Sequence, residues 1–303
     1  ALRLVGSEMC IRDSSWGVEF AADPRNPKWR KVLQENAEAG FTGIELGPVG
    51  FMPEDTTVLS EALEEFNQEL IGGVVFRPFH DPDAWDDVMD GAVRTCKALK
   101  AHGSKHLVLI DSISSRRSPT AGRADEAEQM DKAEWTAYRN RISTVAKMGV
   151  EEYDLTVGIH AHAAGFMDFE PELERLLNEV DETILKICFD TGHHSYAGFD
   201  PVAFMNKHIS RISYMHFKDI NPKVKANVVG NRTDFYTACG QGIFCNLGDG
   251  DVDFPKVRQM LIDNNFEGWC TVEQDCDPEG ETSPIKDAKL NRTYLQSIGF
   301  EGA

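Results

Sequence analysis

Several apolar runs of this 303-residue chain end in groups able to hold a metal ion or move a proton. ILKICFD, residues 184–190, closes on Asp190 and is followed by Thr191-Gly192-His193. Residues 211–218 alternate so that Tyr214, His216 and Lys218 share one face, with Met215 and Phe217 on the other. LTVGIHAH, 155–162, places His160 and His162 two apart and so on one side of a strand, with Asp168 shortly after. GWCTVEQ, 268–274, ends near Glu273, and FTGIEL, 41–46, carries Glu45. Carboxylates and imidazole without thiolate suit a divalent ion of intermediate hardness, Mn²⁺ or Co²⁺ first and Mg²⁺ next, rather than structural zinc. Such an ion, chelated by a carbonyl and an adjacent hydroxyl, acidifies the neighbouring C–H, and a carboxylate or His then removes the proton. Loss of a β-hydroxyl makes a dehydratase; return of the proton makes an epimerase or an isomerase.

The elements needed to bring these groups together are legible as an alternation. Strands are expected at 15–20 (the end of a first strand), 41–46, 71–79, 106–112, 155–162, 184–190, 211–218 and 268–274, each followed by a helix or a helix-containing segment. Eight such units without a Pro- or Ser-rich linker predict one domain, a (β/α)8 TIM barrel over 15–303. A doubly wound sheet shows similar alternation, but the acids and histidines at several strand ends favour the barrel, whose strand ends meet at one mouth. Residues 1–14, ALRLVGSEMCIRDS, do not read as a first strand and are expected to be a non-native or disordered leader.

FDTGHHSYAG, followed by DPVAFMNKH and YMHFKD, resembles the xylose-isomerase-like TIM-barrel superfamily, and within it the inosose dehydratases. Carried over residue by residue, the resemblance implies metal ligation by Asp190, His216 and Glu273. Asp168 stands where the fourth ligand, usually a Glu, is expected, with Glu170 as the alternative. The resemblance further implies loss of water from scyllo-inosose (2-keto-myo-inositol), with His162, His193 and Lys218 as acid–base candidates. A lowered Lys218 pKa is expected beside a metal. Trp16, Glu45 and His160 are the substrate-binding candidates, Trp16 as an apolar wall for a ring face. A sugar epimerase or isomerase, a keto-glycoside β-eliminating enzyme and a non-catalytic carbohydrate-binding barrel are the alternatives.

The composition narrows the partners. A net charge of −19, from 31 basic and 50 acidic side chains, speaks against nucleic acid and anionic membranes. It is compatible with a small neutral cyclitol or keto-sugar, and the sequence leaves homo-oligomerisation open. Seven scattered cysteines without a CxxC suggest reduced thiols and a cytoplasmic setting. No apolar run is long enough to span a membrane. Residues 219–251 read as irregular, with Gly, Asn and aromatic side chains suited to enclosing a substrate at the mouth.

Overall fold

The computed structural model of the chain describes residues 9–275 and 283–300. Its parallel strands are β1 (Met9–Arg12), β2 (Gly43–Leu46), β3 (Glu69–Arg77), β4 (His106–Asp111), β5 (Thr156–His160), β6 (Lys186–Asp190), β7 (Ile212–Phe217) and β10 (Cys270–Val272). They close a barrel in the order β1-β10-β7-β6-β5-β4-β3-β2. The outer helices include α1 (Trp29–Ala39), α3 (Trp85–Ala101), α4 (Lys132–Tyr153), α5 (Glu170–Glu179), α7 (Pro201–His208), α10 (Phe254–Asp263) and α11 (Pro284–Ser297). The short α6 (Thr191–Tyr196) follows β6 directly. The TIM barrel read from the sequence is the fold of the chain.

Alternation along the strands sorts the core into two layers. Outward-facing Leu107, Leu109, Val157, Ile159, Ile187, Phe189, Met215 and Phe217 pack in the large core that also contains residues of the surrounding helices. Inward-facing Cys10, Ile71, Val74, Val108, Ile110, Cys188 and Tyr214 fill the barrel itself. Within this plug Thr271 Oγ1 donates to the Tyr214 hydroxyl at 2.6 Å, which satisfies groups that would be costly to bury alone. Two of these helices start on side-chain caps that accept twice: Asp131 from Ala133 N and Glu134 N, and Asp200 from Val202 N and Ala203 N.

Three expectations are corrected. Residues 9–14 do not stand outside the barrel: Met9–Arg12 is β1, pairing with β10 on one side and β2 on the other. Without it those two strands would leave facing backbone groups unpaired, and the barrel could not close. Residues 1–8 lie outside the described residues. Residues 15–20, read as the end of strand one, are not a strand: they begin in a 3-10 turn, Asp13–Trp16, that leaves through Gly17 at φ 77°. Residues 219–251, read as irregular, contain an antiparallel pair, β8 (Asp219–Ile220) with β9 (Phe244–Cys245). Between them lie α8 (Pro222–Gly230) and α9 (Phe235–Gly240). Asp219 anchors this layer by accepting from the backbone of Gly248, Gly250 and Val252.

The six described cysteines are free thiols, Cys276 lying outside the described residues. Among the described residues no helix is long and apolar enough to cross a membrane.

Closure is tight between β5 and β6, where a Cβ on Gly158 would lie 2.7 Å from the Cys188 backbone nitrogen. Gly158→Ala is therefore expected to lower stability by about 1–3 kcal/mol, the cost of overpacking against backbone that cannot yield. A downward shift of the urea midpoint checks it, and an unchanged midpoint would show that the two strands part freely.

Candidate active site

Because the eight strands run parallel, their C-terminal ends share one face, and four of them build the site in two tiers. The lower tier is His160 of β5, Asp190 of β6, His216 of β7 and Glu273 just beyond β10. One ligand atom from each lies within 4.8 Å of every other, and all four side chains are buried. His160 Nε2 is 3.4 Å from Asp190 Oδ2, and His216 Nδ1 is 2.8 Å from Glu273 Oε2. Buried His160 Nδ1 has no hydrogen-bond partner, and His216 Nδ1 and Glu273 Oε2 meet only each other. Ligand atoms crowded together in this way are what a cation would satisfy, and two imidazoles with two carboxylates suit a divalent ion.

The charges of this tier follow from its neighbours. Burial works to raise Glu273, but Arg12, Lys218 and His216 overcome it and hold the carboxyl well below its usual range. Asp190 is likewise lowered against burial, by Lys218 and His160. Burial alone would strip the proton from His216; Cys188, Glu45 and Glu273 outweigh it and hold the imidazolium well above its ordinary value.

The upper tier is His162, His193, Lys218 and Asp275. Lys218 Nζ is fully buried, 2.8 Å from Asp275 Oδ2, 3.0 Å from His193 Nε2 and 3.4 Å from Glu273 Oε1. Burial would lower its pKa, yet Asp275, Glu273 and Asp190 raise it, so with no ion bound this lysine is held charged. The rings of His162 and His193 lie 4.0 Å apart, with Phe76 and Phe235 against His162 and Phe244 against His193. Burial in this aromatic setting lowers His162 to about 3, with His160 and Lys218 adding to the effect. His193 is lowered well below its ordinary value, again chiefly by burial. Gly192 makes room for the arrangement, since a Cβ there would lie 2.6 Å from Lys218 Cγ.

Above the tiers is a cavity of about 370 Å³, lined among others by His162, Glu273 and Asp275, with Phe235, Tyr236 and Cys239 coming from α9. Tyr236 reaches across and donates to Glu19 Oε1 at 3.2 Å, joining the β8–β9 layer to the loop after β1.

Among the sequence candidates, the structure brings together His160, Asp190, His216, Glu273, His162, His193 and Lys218. Asp168, Glu45 and Trp16 stand elsewhere. Asp168 is outside the metal-capable group: its Oδ2 accepts from Ala164 N at 3.0 Å, and its environment is Arg117 and Glu172. Burial pushes its carboxyl up to about 7. It sits beyond a turn after β5, whereas His160, at the strand end itself, points inward and takes the fourth place. His160, expected from the sequence as a substrate contact, thus stands among the residues that could hold a metal ion. Glu170, the other alternative, lies 3.5 Å from His194. Glu45 is fully buried behind His216, its Oε2 3.1 Å from Nε2, where it orients the imidazole. Trp16 belongs to the core and donates to Glu35 at 2.6 Å. Asp275, Glu19 and Phe235 escaped the sequence reading. Asp275, two residues after Glu273, was findable by the same spacing that singles out Lys218 after His216.

The family model of the xylose isomerase-like TIM barrel matches residues 33–298. The chain belongs to this family. Curated relatives include an inosose dehydratase of Clostridium botulinum (strain Alaska E43 / Type E3), 28% identical over 269 residues, covering 88% of this chain and 89% of that protein. The rhizopine catabolism protein MocC of Rhizobium meliloti is 28% identical over 265 residues, covering 88% and 80%. Among solved structures, a probable 3-DHS dehydratase, AsbF, of Bacillus anthracis superposes with TM-score 0.72 at 19% identity, covering 96% of this chain and 98% of that one. The IolI protein, solved with a zinc atom, gives TM-score 0.72 at 13% identity, covering 96% and 97%. At these identities the two structures speak for the fold.

Two expectations about metal follow. An ion entering the lower tier displaces the His216 proton, so Mn²⁺ or Co²⁺ affinity should rise with pH, by about tenfold per unit below the His216 pKa. Calorimetry from about pH 6 to about pH 8 checks the slope; a flat profile would mean that His216 is already neutral. His160→Ala should weaken binding about 10-fold or more, and Asp168→Asn should leave it unchanged.

Proposed function

We propose that the chain is a metal-dependent lyase that eliminates water from an inosose-type cyclic keto-polyol, 2-keto-myo-inositol, by way of an enolate. That it is an enzyme of the dehydratase type rests on the curated relatives named inosose dehydratase, aligned over 88% of the chain. The observation that carries the chemistry is the stacking of the two tiers: a group able to hold a cation directly below a proton-handling group, both at one cavity.

A divalent ion held by His160, Asp190, His216 and Glu273 would polarise a carbonyl and acidify the C–H beside it. The chain's own residues supply the rest. His162 Nδ1 lies 2.8 Å from the Ala163 carbonyl oxygen, so Nδ1 carries the hydrogen and Nε2 keeps its lone pair for the cavity. Burial, His160 and Lys218 keep the ring unprotonated, the state in which it accepts a proton. On the other side two demands on His193 conflict. Its Nδ1 accepts from Ala163 N at 3.2 Å, which puts the neutral ring's hydrogen on Nε2. Lys218, ionised among carboxylates, also presents hydrogen to that Nε2. An oxygen placed beside both would accept from both, and a departing hydroxyl is such an oxygen. Elimination then leaves with a proton taken at His162 Nε2 and a proton given from Lys218 Nζ, which Asp275 holds in place.

The cavity also favours an uncharged substrate. Among its described lining residues Arg12 is engaged by Glu273 and Arg25 by Asp23, while Glu19 and Asp275 add acidic character. A phosphate or carboxylate would have to break one of these pairs, whereas a polyol needs only hydrogen bonds. The α9 residues Phe235 and Tyr236 support enclosure of the substrate by the 219–251 layer.

The deciding assay incubates Mn²⁺- or Co²⁺-reconstituted protein with scyllo-inosose and reads the product by mass spectrometry. Loss of one water, abolished by EDTA and by His216→Ala, is expected. Lys218→Met should lower kcat by about 100-fold or more, the usual worth of a positioned acid. A product that keeps the substrate's mass would replace this reading with an epimerase or isomerase. No turnover despite bound metal would move it to keto-glycoside elimination or to a binding barrel.

A further inference from the structure

We propose that Asp168 is a positioning residue that fixes the imidazole of His162 through a single peptide group. The inference deepens the reading of His162 as the proton acceptor and rests on it. Ala163 C=O accepts from His162 Nδ1 at 2.8 Å, and Ala164 N–H donates to Asp168 Oδ2 at 3.0 Å. This carbonyl and this N–H belong to the same peptide group, which is planar, so holding one end holds the other. The relay therefore runs from the Asp168 carboxyl through one rigid amide to the ring nitrogen. A strong acceptor on the N–H also polarises the amide and strengthens the pull of its oxygen on the His162 hydrogen.

The surroundings show that this peptide is held on purpose. Ala164 has φ +68°, a left-handed conformation that a non-glycine residue keeps only where its neighbours over-determine it. Ser114 N donates to Ala164 O at 2.9 Å, His162 N to Met167 O at 2.7 Å, and Phe166 N to Asp111 Oδ2 at 2.8 Å. Asp168 is itself fixed from behind: the backbone nitrogens of Asp168 and Phe169 both donate to Glu172 Oε2 at 3.0 Å. Glu172 in turn is paired with buried Arg117 at 2.8 Å. The contacts from Arg117 through Glu172 and the buried Asp168 side chain to the His162 ring are thus unbroken. Remove the Asp168 acceptor and the peptide is free to turn; His162 Nδ1 then has no assured partner, and the ring can present its other nitrogen to the cavity.

The test reads the tautomer directly, by ¹⁵N imidazole NMR of the full chain, the His162 signals being identified by their loss in His162→Gln. The wild type is expected to show the Nδ1–H form. Asp168→Ala is expected to lose that preference and to lower kcat about tenfold with KM changed by less than about twofold. Asp168→Asn, whose amide oxygen can still accept from Ala164 N–H, should keep the tautomer and recover most of kcat. An Asp168→Ala spectrum like the wild type, or an Asn variant as impaired as the Ala variant, overturns the proposal. Should Asp168→Ala not fold, Asp168→Leu carries the same expectation, and if neither folds Asp168 is purely structural and the proposal falls. The NMR arm needs no turnover, so failure of the lyase reading and failure of this inference are told apart.

Discussion

Charge balance in a space closed to water governs this structure. Three buried carboxylates, Glu45, Asp190 and Glu273, and the partly exposed Asp275 meet at the mouth with Lys218 and Arg12 as their fixed cations. Two further positive charges are needed, and the His216 proton provides only one. The raised His216 and the lowered Glu273 follow from that shortage. A divalent ion with a neutral His216 closes the balance, which a third carboxylate in the lower tier would not. The imidazole of His160, rather than an acid, at the end of β5 is therefore a matter of charge as well as reach.

The barrel supplies the exclusion of water on which this depends. Below the site, Cys10, Val108, Cys188 and Tyr214 fill the interior, so no solvent reaches the lower tier from beneath. Above it, Phe235 and Phe244 of the β8–β9 layer lie against the two upper imidazoles. Reciprocal bonds between Thr191 Oγ1 and the Lys218 backbone tie the end of β6 to the end of β7. The Asp190 side chain caps α6 by accepting from His193 N at 2.7 Å. One residue thus serves as helix cap and ligand candidate, and its second oxygen is left facing the centre.

What the sequence revealed, and what it hid, divides along the same physical line. Strand periodicity places side chains by parity, so His216 with Lys218, and Asp190 at an apolar strand's end, were legible without a structure. Glu273 was legible for the same reason. Asp168 came from the resemblance alone, and parity could not check it: after His160 the chain turns through left-handed Ala164, and sequence distance no longer measures position. Glu45 was read from its place near a strand end and Trp16 as an apolar wall, and neither property says whether a side chain faces the cavity or lies behind a neighbour. β1 was obscured because MCIR has only four residues and no alternation between apolar and polar to mark it. Helices α8 and α9 are short and begin on caps, Asn221 and Asp234, that also read as turn residues.

The two tiers have a common construction that explains why four strands suffice. Each gives one group at its end and a second two or three residues later: His160 and His162, Asp190 and His193, His216 and Lys218, Glu273 and Asp275. Two residues of extended chain advance about 7 Å, roughly one layer of side chains along a barrel axis. The lower member of each pair lies where a cation can be held, and the upper member where a bound molecule can be touched. Separation matters because the jobs conflict: a ligand must not give up its lone pair to a proton, and a proton carrier must exchange one. Lys218 makes the boundary sharp, since its ammonium stands 3.4 Å above Glu273 of the lower tier while binding Asp275 of the upper. A lysine there repels a second ion from the upper tier, which leaves His162, His193 and Lys218 itself free to meet a bound molecule.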